Sequence, residues 1–549
     1  MKVNMIRPGK SGEPASDERN HDQTTQETEA LDGVLRVVDD SMSGKGCDVN
    51  TGDLAGEVPD LWASSGVRAA IRAKMPGSSG GAKGGRKADP SNNMNHETES
   101  ATVPRTRDKQ AEEALWTEFK AERGVWSEKM LMALQGGLKG KKWFSLIDKV
   151  WSERTLQLAW EKVASNAGGC GVDNITIGHF AKDSKNRLLA VSEHLKQGTY
   201  QPKPVKRVWI PKPGTKEQRP LGIPTVTDRV VQAALRMVIE PIFEKEFAPH
   251  SYGFRPGRGC KDALRQVDIK LKEGYVHVVD VDIKGYFDSI PHDRLMELVQ
   301  DHISDGRILK LIKSYLKQGV MEEKELIETN KQDGTPQGAV ISPLLANLYL
   351  NPLDWLMAQE GITMVRYADD MVMLCQSAKQ AEQVLAKLQK WSEQAGLTLH
   401  PEKTKIVDMG QARSHLDFLG YRFRRTIGKM QIRRFIRPKS LKNIRQRIRP
   451  LTKRTSGRCL PSIISKLNPV LRGVHEYFHH AYKGELSRLD GWVRGRLRSI
   501  LRKRNKGKGK GKGKDHFKWP NCYFDRHGLF SLEQARRKQI ISLRNGANC

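Results

Sequence analysis

Two aspartates stand side by side at Asp369 and Asp370, inside the apolar run "RYADDMVML". Asp is a poor strand former, and a buried carboxylate without a partner is costly. The objection disappears if the carboxylates ligate a hard cation. Mg²⁺ prefers oxygen ligands and takes one or two protein carboxylates together with substrate phosphates and water. A two-metal site, with ions about 4 Å apart, needs carboxylates from more than one segment. A second segment is at hand, because "VVDVDIKGYFDSI" carries Asp280 and Asp282 on one face of an expected strand. Strands lying side by side would set one of these acids near Asp369. Nucleotidyl transfer requires that layout: one ion acidifies a primer 3′-hydroxyl and the other stabilises the pyrophosphate leaving group.

The elements that must position these acids alternate along the chain. "VKRVWIPKPGTKEQRPLGIP" reads as two extended pieces around a Pro- and Gly-containing loop. "TVTDRVVQAALRMVIEPIFEKEF" reads as a helix starting near Thr227 or Asp228. "YVHVVDVDIKGYF" is a strand, "DRLMELVQDHI" a helix, and "AVISPLLANLYLNPLDWLMAQE" a second helix after a turn. "MVRYADDMVMLC" gives two short strands around Ala-Asp-Asp, with Val365, Met371 and Met373 available to pack. A periodic helix, "AKQAEQVLAKLQKWSEQAG", and extended "LTLHPEKTKIVDM" follow. The mixture predicts an α+β domain with its reactive residues at strand ends.

At 549 residues the chain is long enough for several domains and a large core. Its formal charge is +31. The charge is uneven. Residues 1–60 hold 6 Lys and Arg against 13 Asp and Glu, whereas residues 421–514 hold 30 against 3. A basic surplus gathered in one region points to a polyanionic partner, since Lys and Arg gain affinity by releasing counterions from phosphates. Seven scattered cysteines include no C-x-x-C pair, which argues against a zinc ribbon or a disulfide framework. No run of about 18 apolar residues is present and no apolar leader opens the chain, so the expectation is a cytoplasmic protein with no membrane contact. Residues 1–110, rich in Gly, Ser, Asp and Asn, are expected to be a disordered acidic extension, and the Gly-Lys repeat at 506–514 a flexible charged linker.

The ordered set "IPKPGTKEQRPLGIPTVTDRVVQAAL", "DVDIKGYFDSIPH", "GTPQGAVISPLLANLYL", "RYADDMVML", "LTLHPEKTKIV" and "FLGYRF" resembles a reverse transcriptase. "KLNPVLRGVHEYF" beyond it resembles the start of the maturase region of group II intron-encoded proteins, the bacterial type without an H-N-H endonuclease. The paired cysteines of that endonuclease are not seen near Cys522 and Cys549, so the expectation is that it is absent. The likeness covers about 400 residues. It implies a right-hand polymerase fold. The disordered extension 1–110 precedes fingers over 111–245 and a palm over 246–425. A helical, basic thumb or maturase domain spans 426–504. The Gly-Lys linker and a small basic, DNA-binding-like tail fill 505–549. The implied function is RNA-directed DNA synthesis by two Mg²⁺ ions, with Mn²⁺ as a substitute. Binding and splicing of a group II intron RNA and its copying into cDNA during retrohoming go with it. The implied partners are that RNA, an RNA template with a DNA primer, target DNA and dNTPs, in a ribonucleoprotein or at the nucleoid. The oligomeric state is left open. The rivals are a splicing-only maturase and a reverse transcriptase of a retron, defence or diversity-generating system.

Carried over residue by residue, the resemblance makes Asp282, Asp369 and Asp370 the catalytic metal ligands, with Asp369 ahead of Asp370 in importance. Asp280 then reads as a neighbouring strand residue, and Asp288 and Asp293 as turn or cap residues. Lys212 and Arg219 suit a nucleoside triphosphate, one as a point charge and one as a fork. Phe287 would lie beneath the incoming sugar and exclude a 2′-hydroxyl. Gln337 would line the nucleotide and template pocket, with Gly338 permitting close backbone approach. Lys403 would protonate the pyrophosphate, with Lys405 as its rival. Lys216 reads as a solvated loop charge. A separate motif, "HEYFH" at His475–His479, satisfies the zincin helix pattern. It lacks a third ligand and falls where the family has an aromatic helix, so the packing reading is preferred.

Overall fold

The computed structural model describes residues 116–117, 121–137, 142–211, 218–323, 325–327, 332–426, 431–509, 511 and 513–546. Three sheets organise the described chain. The central one has the order β6-β7-β3-β8, formed by β3 (His277–Val281), β6 (Thr363–Tyr367), β7 (Asp370–Cys375) and β8 (Lys405–Asp408). Every pairing in it is antiparallel.

Period-two alternation sends the two faces of this sheet into different cores. Val279, Val281, Met364, Met371 and Met373 face a core built with the helices Val226–Glu246, His292–Gln300, Ser342–Gln359 and Ala378–Gln394. Val278, Val365, Tyr367, Val372 and Leu374 face a second core with the helix Cys260–Lys272 and the C-terminal helices. Burial on both faces explains why "MVML" is continuously apolar, where a half-exposed strand would alternate.

The helix Val226–Glu246 is buried along most of its length. Its cap is Thr225, and Thr227 and Asp228 lie in its first turn, near the start as expected. The Thr225 hydroxyl accepts from the Asp228 amide at 3.1 Å and donates to the Asp228 carboxylate at 2.6 Å. Reciprocal satisfaction of first-turn groups outweighs either hydroxyl or carboxylate alone as a start signal.

A second sheet, β2-β1-β4-β5, holds the antiparallel pair β1 (Val205–Pro211) and β2 (Gln218–Ile223), with the short strands β4 (Val320–Glu322) and β5 (Glu325–Ile327). Lys212 and Lys216 lie outside the described residues, as does the 1–110 extension. The third sheet is the meander of β9 (His415–Phe418), β10 (Tyr421–Arg425) and β11 (Ile432–Ile436), which closes onto the second core.

Helices Pro438–Leu451, Leu460–Phe478 and Lys483–Arg504 follow. The first buries Ile444 and Ile448 while Lys442, Arg447 and Arg449 stay exposed, an apolar stripe beneath a cationic face. The tail does not stand apart from these helices. Trp519, Phe524, Leu529 and Leu532 enter the same core. Asp490 accepts from the Ser531 hydroxyl and from the Leu532 and Glu533 amides, satisfying the orphan donors that open the helix Leu532–Gly546. No described helix is long and apolar enough to cross a membrane.

Candidate active site

The pairing Tyr367↔Asp370 leaves Ala368 and Asp369 as the turn between β6 and β7. Asp370 is therefore the first residue of a strand, and Asp369 is at the tip. Ala368 is left-handed, with φ +57°, a region costing an L-residue about 1–2 kcal/mol. The surroundings hold it there. Arg366 Nη1 donates to the Ala368 carbonyl at 3.0 Å. From the other side Gly253 presses on the turn so closely that a Cβ there would meet the Ala368 nitrogen at 2.2 Å.

Asp282 comes from the neighbouring strand. β3 pairs with β7 as Asp280↔Val372 and Val281↔Met371, so the next step of the same register sets Asp282 opposite Asp370. The Asp282 backbone is tied to the turn before β8, its carbonyl accepting from His400 N at 2.8 Å. The side chains of opposite residues share a face. Asp280 lies two residues back on that face, opposite Lys405 of β8.

The electrostatics follow from this crowding. Enclosure by the protein, then Asp369, Asp282 and Asp280, push the Asp370 carboxyl up to about 7. That carboxyl still touches solvent, so water tempers the shift. Burial also raises Asp369; Asp282 adds to the rise, while Arg219 and Arg366 oppose it. Asp280 is raised to about 6 by burial against the pull of Lys405. Acids held together this way resist joint ionisation, and a divalent cation would relieve the repulsion. Among the described residues no three His, Cys, Asp or Glu side chains form a preformed metal cage. The all-carboxylate donor set fits an ion such as Mg²⁺, which keeps several waters and completes its shell with substrate phosphates. Lys403 Nζ lies 3.3 Å from the Asp282 carboxylate and supplies positive charge there.

Arg219 reaches the site from β2, close enough to bias Asp369. Phe287 sits in the 3₁₀ turn Tyr286–Asp288, half-buried against Tyr286, and its carbonyl accepts from Thr335 N at 2.6 Å. Gln337 Nε2 is 3.4 Å from Asp288 Oδ2, and the Gln337 carbonyl accepts from Gly222 N at 2.7 Å. Gly338 has φ +109°, and a Cβ there would meet the Gly222 carbonyl at 2.5 Å, so the close approach requires glycine. A cleft lined by Arg207, Gly222, Gln318, Asp288, Thr335 and Gln337 lies beside this loop; the three aspartates are not part of its lining.

Asp293 sits in the first turn of the helix His292–Gln300. The "HEYFH" pair packs as helix side chains. His479 Nδ1 bonds to the Glu476 carbonyl at 2.9 Å, Glu476 pairs with Lys261, and His475 lies edge-on to Phe530. Sequence reading passed over Arg366, Asp354, Asn347 and Gly253. A lone Arg inside the apolar "MVRYADD" was the available signal, because a buried guanidinium needs partners.

Residues 210–423 match the family described as reverse transcriptase (RNA-dependent DNA polymerase), and residues 441–519 match the group II intron maturase-specific domain. The chain is similar to the group II intron-encoded protein LtrA of Lactococcus lactis subsp. cremoris, with 40% identity over 204 residues, 37% of this chain and 33% of that protein. It is similar to protein YkfC of Escherichia coli (strain K12), with 32% identity over 304 residues, 48% of this chain and 78% of that protein. The match thus spans about a third of the length of LtrA. A solved partial Cas6-RT-Cas1–Cas2 complex is similar over 45% of this chain and 42% of that one, at 22% identity and a TM-score of 0.30.

Proposed function

We propose that this chain, which belongs to the family of group II intron-encoded reverse transcriptases and maturases, is an RNA-directed DNA polymerase that binds a group II intron RNA, assists its splicing and copies it into DNA. The observation that carries this reading is the meeting of Asp282 with the Asp369–Asp370 turn, with Arg219 beside it. The adjoining maturase-specific match at 441–519 favours intron RNA over other templates.

In this reading the hand is divided into fingers over 111–245, palm over 246–425 and thumb over 426–504. Asp282, Asp369 and Asp370 would hold two Mg²⁺ ions. The ions would acidify the primer 3′-hydroxyl and stabilise the departing pyrophosphate. Arg219, with Lys212, grips the triphosphate through charge-assisted hydrogen bonds. Phe287 lies under the deoxyribose and excludes a 2′-hydroxyl. Gln337 and the Gly338 backbone line the nucleotide and template pocket. Lys403, beside Asp282, would give a proton to the leaving group. The exposed cations of Pro438–Leu451 grip template–primer duplex or folded RNA by counterion release. A splicing-only descendant would be free to lose these aspartates, and all three stand.

The test is primer extension on an RNA template with Mg²⁺. Synthesis is expected in the parent and not in Asp369→Ala; full synthesis in that variant refutes the metal-site assignment. Sequencing of RNA co-purified from the native host is expected to return one structured intron. A random mixture would refute the maturase role.

A further inference from the structure

Arg366 is among the largest fully buried side chains of the described residues, and it sits two residues before Ala368. All three nitrogens of its fork are engaged. Nε donates to Asp354 Oδ1 at 2.7 Å, and Nη2 pairs with Asp354 Oδ2. Nη1 donates to Asn347 Oδ1 at 2.9 Å and to the Ala368 carbonyl at 3.0 Å. Asp354 is fully buried and Asn347 almost so. Asn347 in turn donates from Nδ2 to the Gly253 carbonyl at 2.7 Å, and Gly253 is the residue that presses on the turn from the other side. Both walls of the Ala368–Asp369 turn therefore lead back to one amide and one guanidinium.

A buried ion pair is a weak source of stability, because apolar residues of similar volume often serve as well. Its use here is geometric. The turn carries a left-handed alanine, a conformation that persists only when its surroundings over-determine it. A planar fork with several fixed donors can hold a carboxylate, an amide and a main-chain carbonyl together; a lysine ammonium is a point charge on a flexible stem. The Arg366 charge also favours ionised Asp369.

We propose that Arg366, held by Asp354 and Asn347, is a positioning residue that sets the Asp369 carboxylate for cation binding by anchoring the Ala368 carbonyl. The inference rests on the reading of the aspartates as a metal site. Groups behind a metal's ligands shift affinity by about 10–100-fold when removed.

The test titrates the full chain with Mn²⁺ by electron paramagnetic resonance, beside single-nucleotide incorporation and template–primer binding. The double variant Asp354→Leu/Arg366→Met removes the pair without stranding a buried charge. It is expected to bind Mn²⁺ about 10–100-fold more weakly, with kcat lowered, dNTP KM little changed and template–primer affinity retained. If that variant fails to fold, Arg366→Lys keeps a charge facing Asp354 but loses the anchor, and the same weakening is expected. Mn²⁺ affinity equal to the parent's in a folded variant overturns the proposal. Asp369→Asn separates the two readings. If it loses Mn²⁺ while the Arg366 variants keep it, the metal site stands and the anchor falls. If Asp369→Asn binds Mn²⁺ like the parent, the metal-site reading itself falls and takes the anchor with it.

Discussion

Gly253→Ala adds one methyl group and should slow the proposed nucleotide incorporation far more than it destabilises the chain. The added Cβ would lie 2.2 Å from the Ala368 nitrogen, 2.9 Å from the Tyr367 carbonyl carbon and 3.1 Å from the Ala368 Cα. Ordinary contact begins near 3.4 Å, so the shortfall is 3.4 − 2.2, or about 1.2 Å. All three neighbours are backbone, and no flexible side chain can swing aside. The chain on the glycine side is tethered through its carbonyl to Asn347, and the turn through Ala368 to Arg366. Overpacking of this kind costs about 1–3 kcal/mol. Misplacing a reacting group by about 1 Å costs on the order of 10²-fold in rate. The assay is single-nucleotide incorporation on an RNA template with a DNA primer and Mg²⁺, with thermal melting by circular dichroism alongside. A fall in kcat of about 10²-fold with a folded protein is expected. Parental kcat and an unchanged melting temperature would refute both the steric reasoning and the placement of the turn at the reacting centre.

Lys403→Ala removes an exposed ion pair and should change stability by less than about 1 kcal/mol. As general acid it should slow nucleotide addition by about 10²-fold or more. Lys405→Ala, opposite Asp280, should leave the rate intact, and the reverse order of effects would refute the assignment. Burial holds His475 and His479 below the usual imidazole value, and burial with His479 and Arg434 lowers His480 to about 4. These three histidines bind fewer protons in the folded chain than in the unfolded one, so their own contribution to stability falls as pH drops from about 6.5 towards 4, opposite in sign to that of the raised Asp280, Asp369 and Asp370. The difference in melting temperature between the parent and His480→Gln over that interval checks it: the parent should lose stability relative to the variant as the pH falls. Replacing Lys442 and Arg447 by Gln should weaken RNA binding and reduce the slope of log affinity against log salt by about 0.7–0.9 per lost phosphate contact; an unchanged slope would mean that this face does not meet RNA.

Strand and helix identities were legible because their cause is local. Apolar spacing marked β6, β7 and the helix Ala378–Gln394, and the Pro- and Gly-rich break between β1 and β2 fell where expected. The start of Val226–Glu246 fell near Thr227 and Asp228 as expected, but its cap, Thr225, was not singled out, because several nearby hydroxyls and carboxylates carry the same local signal. The tail looked separable because a Gly-Lys run has no packing capacity. Its aromatic residues nevertheless enter the core of the preceding helices, and Asp490 of one of these caps the last helix from 42 positions back.

The sequence by itself determined which groups are available: three aspartates in an ordered set of motifs, an arginine after the Pro- and Gly-containing loop, and a strongly basic C-terminal region. Residue type and short-range periodicity suffice for that. Only the tertiary structure decided how they meet. Register sets Asp282 opposite Asp370, and with it Asp280 one step further along that face. Burial and mutual repulsion raise Asp369 and Asp370, and a hidden arginine joins Asp354 and Asn347 to the turn. These depend on contacts between residues 12 to about 120 positions apart. A one-residue slip in register would turn every side chain of the strand to the other core, so the site exists only where the two cores agree on where the sheet must lie.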